Sequence, residues 1–141
     1  MSDSTVTFDF DTTLALSRPN ADMVWVHVGP NLPILNELRR RLAAGERVFI
    51  VTCRVEANEQ LPDRRSVADF LLEHGVQPTG IVFTNGQPKA PFVVALNSEL
   101  HFDDDPDVGE ALPPYIEFRL VNDGLTPRPG TWVPSEGVEN G

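Results

Sequence analysis

Apolar residues fall along this chain in short, nearly unbroken β-type runs, separated by stretches with a helical period. The strongest runs are at 6–10 (VTFDF), 48–51 (VFIV) and 81–83 (IVF), and two weaker ones follow at 100–102 (LHF) and 116–121 (IEFRLV). Runs of Val, Ile and Phe without strict alternation suit strands covered on both faces, as in a parallel sheet. Between the first two runs lies PILNELRRRLAAG, which sets Ile34, Leu35, Leu38 and Leu42 on one helical face, opens with Pro33 and closes with Gly45. Its arginines Arg39, Arg40 and Arg41 stand near the helix C-terminus, where cations favour the dipole and face solvent. The segment RRSVADFLLEHGV groups Val67, Phe70 and Leu71, with Gly75 as the stop, and a third, shorter helix is predicted at about 90–97 with Pro91 in its first turn.

Strand and helix therefore alternate. This order predicts right-handed crossovers and an α/β fold, a Rossmann-like doubly wound parallel sheet of about five strands. Ligands of such sheets bind at the carboxyl ends of the strands. Residues 13–30 break the pattern, being too long for a simple connection. Their MVWVHV stretch (23–28) alternates like a hairpin arm, so a short flap beside the first strand is predicted. Residues 1–123 are expected to form the domain, and the Pro- and Gly-rich residues 124–141 a loosely ordered tail.

Composition narrows the setting. With 40% hydrophobic residues, a folded core is expected rather than disorder. A net charge of −10 argues against broad attraction to nucleic acid or an anionic membrane, yet leaves room for a small cationic site that handles one phosphate. The single cysteine, Cys53, forms no internal disulfide, which favours a reducing compartment such as the cytoplasm. The first residues lack a basic stretch followed by an apolar one, and no run approaches a membrane span, so neither a secretory signal nor a membrane partner is expected.

The chemistry lies just past the apolar runs. Asp9 and Asp11 follow the first, Thr52 ends the second, and Asp103, Asp104 and Asp105 end the fourth, while Lys89 opens the third helix. Alternation puts Asp9 and Asp11 on the same side of a strand, where like charges repel and are costly to bury. Either a cation sits between them or they are exposed at the strand's end. In a parallel sheet all these groups project from one edge, so carboxylates, a hydroxyl and an ammonium converge on a single crevice. Hard oxygen ligands at this density suit Mg²⁺ together with a phosphate oxygen. Phosphoryl transfer needs an in-line nucleophile, which a carboxylate can be, and a second carboxyl for proton transfer.

The ordered set FDFDTTL, VFIVTCR, PKAPF and LHFDDDPDV resembles the haloacid dehalogenase superfamily of phosphohydrolases. The match covers about residues 5–108. The resemblance implies Asp9 as nucleophile, Asp11 as general acid and base, Thr52 as a ligand of a phosphoryl oxygen, and Lys89 as the electrostatic anchor of nucleophile and phosphate. It further implies Mg²⁺ held by Asp9, the main-chain carbonyl of Asp11, and Asp103 or Asp104, with Asp103 placed first. Asp105 and Asp107 are expected to be solvated or to cap the next helix. Two departures stand out. Thr12 occupies a position where such proteins usually carry glycine, in a tight loop that threonine constrains. Cys53 breaks the frequent Thr-Gly-Arg form and is expected to be a small apolar filler rather than a nucleophile. Arg54 either touches the substrate phosphate or forms a surface ion pair.

The stretch from Thr52 to Gly75, with the acidic FDDDPDV, looks like the phosphatase halves of phage polynucleotide kinase-phosphatases and related small nucleotidases. No room exists for a large cap domain. The implied substrate is a phosphorylated small molecule, a nucleotide, a nucleic-acid end or a protein-borne phosphate. The alternative is a non-catalytic acidic binding or mimic protein that uses the fold to hold a metal, a nucleotide or a partner. A phospho-receiver domain is set aside, because there the paired acids come first. His27, His74 and His101 lack metal-ligand spacing and are given structural or surface roles, with His27 in the flap near substrate. Trp25 is expected to pack in the core at the flap's base, with base stacking as the other reading.

Overall fold

The computed structural model describes residues 4–61, 65–122 and 131. Among the described residues, seven strands and four α-helices follow in chain order: β1 (Thr5–Phe8), β2 (Ala15–Pro19), β3 (Trp25–Pro30), α1 (Leu32–Ala43), β4 (Arg47–Thr52), α2 (Val67–Glu73), β5 (Gly80–Phe83), α3 (Ala90–Ala95), β6 (Leu100–Asp103), α4 (Pro106–Ala111) and β7 (Glu117–Leu120). A 3₁₀ turn at Glu56–Gln60 lies between β4 and α2. The Pro/Gly-rich tail falls outside the described residues apart from Thr131.

Five strands form one parallel sheet in the order β5-β4-β1-β6-β7. The chain moves outward from β1 to β4 and β5, then crosses back to β6 and β7 on the other side. Helices consequently cover both faces. Ile34, Leu35 and Leu38 of α1, with Val67, Phe70 and Leu71 of α2, pack on Val6, Phe8, Ile50 and Phe102 of the sheet. Val93 of α3, with Leu112 and Ile116, forms a smaller cluster on Val51 at the opposite face. Phe8 and Phe102 pair in register, and their rings stack at 4.5 Å with planes 3° apart.

The flap is a hairpin, as its alternation predicts. β2 and β3 pair antiparallel, with a bulge between Leu16 and Ser17. Asn20 pins its turn: the Asn20 Oδ1 accepts from the backbone amides of Asp22 at 2.8 Å and Val24 at 3.0 Å. The arginines of α1 differ from the simple solvated face. Glu37 is buried, and Arg40 and Arg41 both donate to it, at 2.5 and 2.7 Å to Oε2, so part of the run neutralises a buried acid. Among the described residues no helix is long and apolar enough to cross a membrane.

Candidate functional site

Strand parity decides which side chains meet. On β1 and β6, Val6, Phe8, Leu100 and Phe102 enter the larger core. Thr7, Asp9, His101 and Asp103 alternate with them and therefore share the other face. The register Phe8↔Phe102 sets Asp9 and Asp103 side by side at the carboxyl ends, where the Asp9 amide donates to the Phe102 carbonyl at 2.8 Å. Lys89 stands at the start of α3, which covers that face, and reaches both acids. Its Nζ donates to Asp9 Oδ1 at 2.5 Å and to Asp103 Oδ2 at 2.8 Å. All three residues are buried.

His101 extends the network. Its Nε2 is 2.9 Å from Asp103 Oδ2 and its Nδ1 is 2.8 Å from Thr7 Oγ1. An ionised carboxylate only accepts, so Nε2 carries the proton and Nδ1 accepts from Thr7. Burial lowers the His101 pKa despite the Asp103 bond that raises it, which keeps the ring neutral. Asp103 Oδ1 accepts from the Asp105 amide at 3.1 Å. Burial pushes the Asp103 pKa up, but the His101 hydrogen bond and the Lys89 charge outweigh it and hold the carboxyl below its ordinary value.

Asp9 behaves in the opposite sense. Burial and then the neighbouring Asp103 charge raise its pKa well above the usual carboxylate range, and Lys89 only partly offsets them. Ligand oxygens of Asp9, Asp103 and Asp104 lie within 4.8 Å of one another. This acidic triad could hold a metal ion: its donors are all hard oxygens, and a cation would relieve the repulsion recorded in the raised pKa of Asp9.

The Asp11 side chain does not point with that of Asp9 towards Lys89. β1 ends at Phe8, so the alternation that places the two acids on one side no longer applies at Asp11. Its side chain is 47% exposed against 6% for Asp9 and turns to Arg54, which grips it with two bonds of 2.9 and 2.8 Å. Arg54 is fixed in turn by Glu59 at 2.9 Å and the Arg65 carbonyl at 2.6 Å, and lies 4.9 Å from the Phe10 ring centroid. The Arg54 side chain is only 12% exposed, so the pair is part-buried, with Asp11 its more open partner. Thr52 ends β4, buried, with its Oγ1 accepting from the Arg54 amide at 3.3 Å.

The loop after Asp11 contains the departure seen in the sequence. Thr12 adopts φ +61, the left-handed region that glycine enters freely and β-branched residues rarely do. Its hydroxyl lies 2.5 Å from Asp104 Oδ2 and 2.6 Å from the Asp11 carbonyl oxygen, with one proton for two acceptors. Thr13 Oγ1 is 2.9 Å from Asp9 Oδ2 and 3.3 Å from Asp104 Oδ1, so the loop ties both acids together. Strain and hydroxyl bonding oppose each other at Thr12. Thermal denaturation is expected to place Thr12→Ser at or above the wild type. Thr12→Val, which keeps the branch and loses the hydroxyl, should fall about 1–2 kcal/mol below it. A valine variant as stable as the serine one would show that the hydroxyl contributes nothing.

Of the sequence-predicted residues, Asp9, Lys89, Asp103 and Asp104 come together, Asp11 and Arg54 form an adjoining pair, and the Thr52 hydroxyl contacts that pair at the Arg54 backbone amide. Asp105 caps α4 by accepting from the Asp107 amide at 2.9 Å. His101, Thr7 and Glu59 carry no site role in the sequence reading. For His101 a signal was available, because it stands two residues before Asp103 on a buried strand and must share its face. Two expectations are overturned by exposure. Cys53 is exposed rather than a core filler, since it lies one residue beyond the end of β4. Trp25 is 57% exposed rather than packed in the core; it lies at the start of β3 in a two-stranded sheet separate from the five-stranded one.

No family model and no curated protein matches this chain. Solved structures do. A chain of the structure of the Pnkp1/Rnl/Hen1 RNA repair complex matches with a TM-score of 0.63 and 17% identity over 85% of this chain and 42% of its own length. A chain from a second structure of the Pnkp1/Rnl/Hen1 complex gives 0.62 and 16%, over 86% and 47%. The protein shares its fold with less than half of each of those chains.

Proposed function

We propose that this protein is a Mg²⁺-dependent phosphomonoester hydrolase of haloacid dehalogenase type that works through an aspartyl-phosphate and acts on a nucleotide or a nucleic-acid end. The observation that carries the reading is the buried Asp9, held at one oxygen by Lys89 and at the other by Thr13, beside Asp103 and Asp104. A carboxylate anchored at both oxygens is pre-positioned for in-line attack, which is most of what phosphoryl transfer asks of a protein. The Asp9 carboxylate attacks phosphorus, the bond to the leaving oxygen breaks, and Asp11 gives that oxygen its proton. Water then attacks the acyl phosphate, Asp11 takes its proton, and inorganic phosphate leaves with Asp9 restored. Lys89 and the Thr52 hydroxyl stabilise the transferring group. Mg²⁺, held by Asp9, Asp103 or Asp104 and the Asp11 carbonyl, would supply neutralisation of the phosphate oxygens.

Asp103 and Asp104 differ in what they offer. Asp103 has both oxygens committed, to Lys89 and His101 on one side and the Asp105 amide on the other. Asp104 contacts the Thr12 and Thr13 hydroxyls and is only half-buried, which suits it to be the more direct ligand. The likeness in fold to chains of an RNA repair complex supports a nucleic-acid end among the substrates. A second reading, a non-catalytic binding protein, draws on the Arg54 grip, which occupies both oxygens of Asp11.

Turnover separates the two. The protein should release phosphate from p-nitrophenyl phosphate, nucleoside monophosphates and oligonucleotides with 3′- or 5′-phosphates when Mg²⁺ is present. Chelation by EDTA should suppress release, and added Mg²⁺ should restore it. No release across that panel, or release indifferent to chelation, overturns the hydrolase reading.

A further inference from the structure

The flap and the arginine-bearing loop enclose a groove that phosphate chemistry alone does not need. It has a volume of about 850 Å³. Its lining includes Asp11 and Thr12 from the loop next to the acidic triad, Trp25 and His27 from the hairpin, and Arg54 and Arg65. That volume falls in the range of sites for whole small molecules rather than a single phosphoryl group. Trp25 presents an open aromatic side chain there, and exposed Val24 and Met23 flank it. The platform is ordered by the Asn20 bonds that pin the hairpin turn.

The lining also carries charged groups. In a chain of net charge −10, two guanidinium groups line the groove, and one of them, Arg54, is bound to Asp11. His27, in the same lining, has its pKa lowered first by burial and then by the charges of Arg65, His74 and Arg54. The groove thus combines an exposed aromatic side chain with two guanidinium groups, Arg54 paired with Asp11 and Glu59 and Arg65 paired with Glu73. A simple acyl or sugar phosphate would leave the tryptophan idle, whereas a nucleoside phosphate supplies both a π-face and an anion.

We infer that this groove is a nucleoside subsite in which the base of the substrate stacks on Trp25 while its phosphate reaches Asp9. The inference rests on the hydrolase reading for the second half of that sentence only. Base stacking on an aromatic side chain is tolerant of base identity, so all four bases should be accepted.

The test compares AMP with ribose 5-phosphate, which is the same monoester without its base. Wild-type protein should prefer AMP in kcat/KM, and Trp25→Ala should reduce that preference roughly 5- to 100-fold, chiefly through KM. Trp25→Phe should keep most of it. A 5′-phosphorylated oligonucleotide and its counterpart with an abasic first residue form a second arm, which tells polymer ends from free nucleotides as the source. In parallel, calorimetry measures AMP binding to Asp9→Asn with and without Trp25→Ala. If neither monoester is hydrolysed but AMP binding weakens on loss of Trp25, the subsite stands and the hydrolase reading falls. If both are hydrolysed alike and Trp25→Ala changes neither the ratio nor AMP affinity, the subsite falls and the hydrolase reading stands. Trp25-dependent preference for a phosphotyrosine peptide over AMP also overturns the nucleoside assignment.

Discussion

Asp9→Asn should be inactive yet no less stable than the wild type. The substitution keeps the shape of the side chain and a carbonyl oxygen facing Lys89, and removes only the charge. Loss of the nucleophile should lower kcat by at least about 10⁴-fold, the scale seen when a covalent catalyst is deleted. Stability should move the other way. The Asp9 pKa is raised by burial and by the charge of Asp103, so its ionised form is held at a cost in the folded protein. Asparagine removes that cost, as happens at functional sites where activity and stability oppose each other. Phosphate release and thermal denaturation measured on one preparation check both halves. A variant within tenfold of wild-type turnover rules out Asp9 as the nucleophile, and a marked fall in melting temperature rules out the electrostatic account of its environment.

Lys89→Met should be the most damaging single change to the fold of the site. The ammonium reaches two buried carboxylates, Asp9 and Asp103, whose side chains are 6% and 1% exposed. Methionine fills similar space and leaves the acids facing each other without it. Breaking a buried ion pair from one side costs about 3–5 kcal/mol. The pH dependence follows from the direction of the Asp9 shift. Its folded pKa already lies above the unfolded value and rises further without Lys89, so the folded state binds the extra proton. Stability therefore falls as pH rises above the unfolded carboxyl value, and continues to fall until the folded pKa is passed. Denaturant midpoints should show a smaller deficit at pH 5 than at pH 8. An equal deficit at both values would mean that lost packing, not unpaired charge, explains the effect.

Much of this architecture is legible in local pattern. Parallel strands buried on both faces write themselves as unbroken Val, Ile and Phe runs, and β1, β4, β5, β6 and β7 all overlap such runs. The helices at Leu32–Ala43 and Val67–Glu73 are announced by their apolar faces, and the flap by the alternation in MVWVHV. Position at a strand or helix end also marks Asp9, Lys89 and Asp103 before any coordinates are known, because a parallel sheet sends all its carboxyl ends to one edge.

Partner choice was not legible. Lys89 lies 80 residues from Asp9, and Thr7 lies 94 from His101; both contacts depend on β1 and β6 being neighbours in one particular register. That register is decided by long-range packing such as Phe8 on Phe102, which no local window contains. The same limit explains Asp11, whose side chain left the strand's alternation once β1 ended at Phe8 and met Arg54, 43 residues on. It also explains Trp25, because an apolar arm reads alike whether its hairpin folds onto the core or stands away from it. Local sequence, then, determined which elements exist and which groups reach the carboxyl edge of the sheet. Tertiary structure alone decided which charge faces which, since electrostatic partners are set by distance in space and distance along the chain does not encode it.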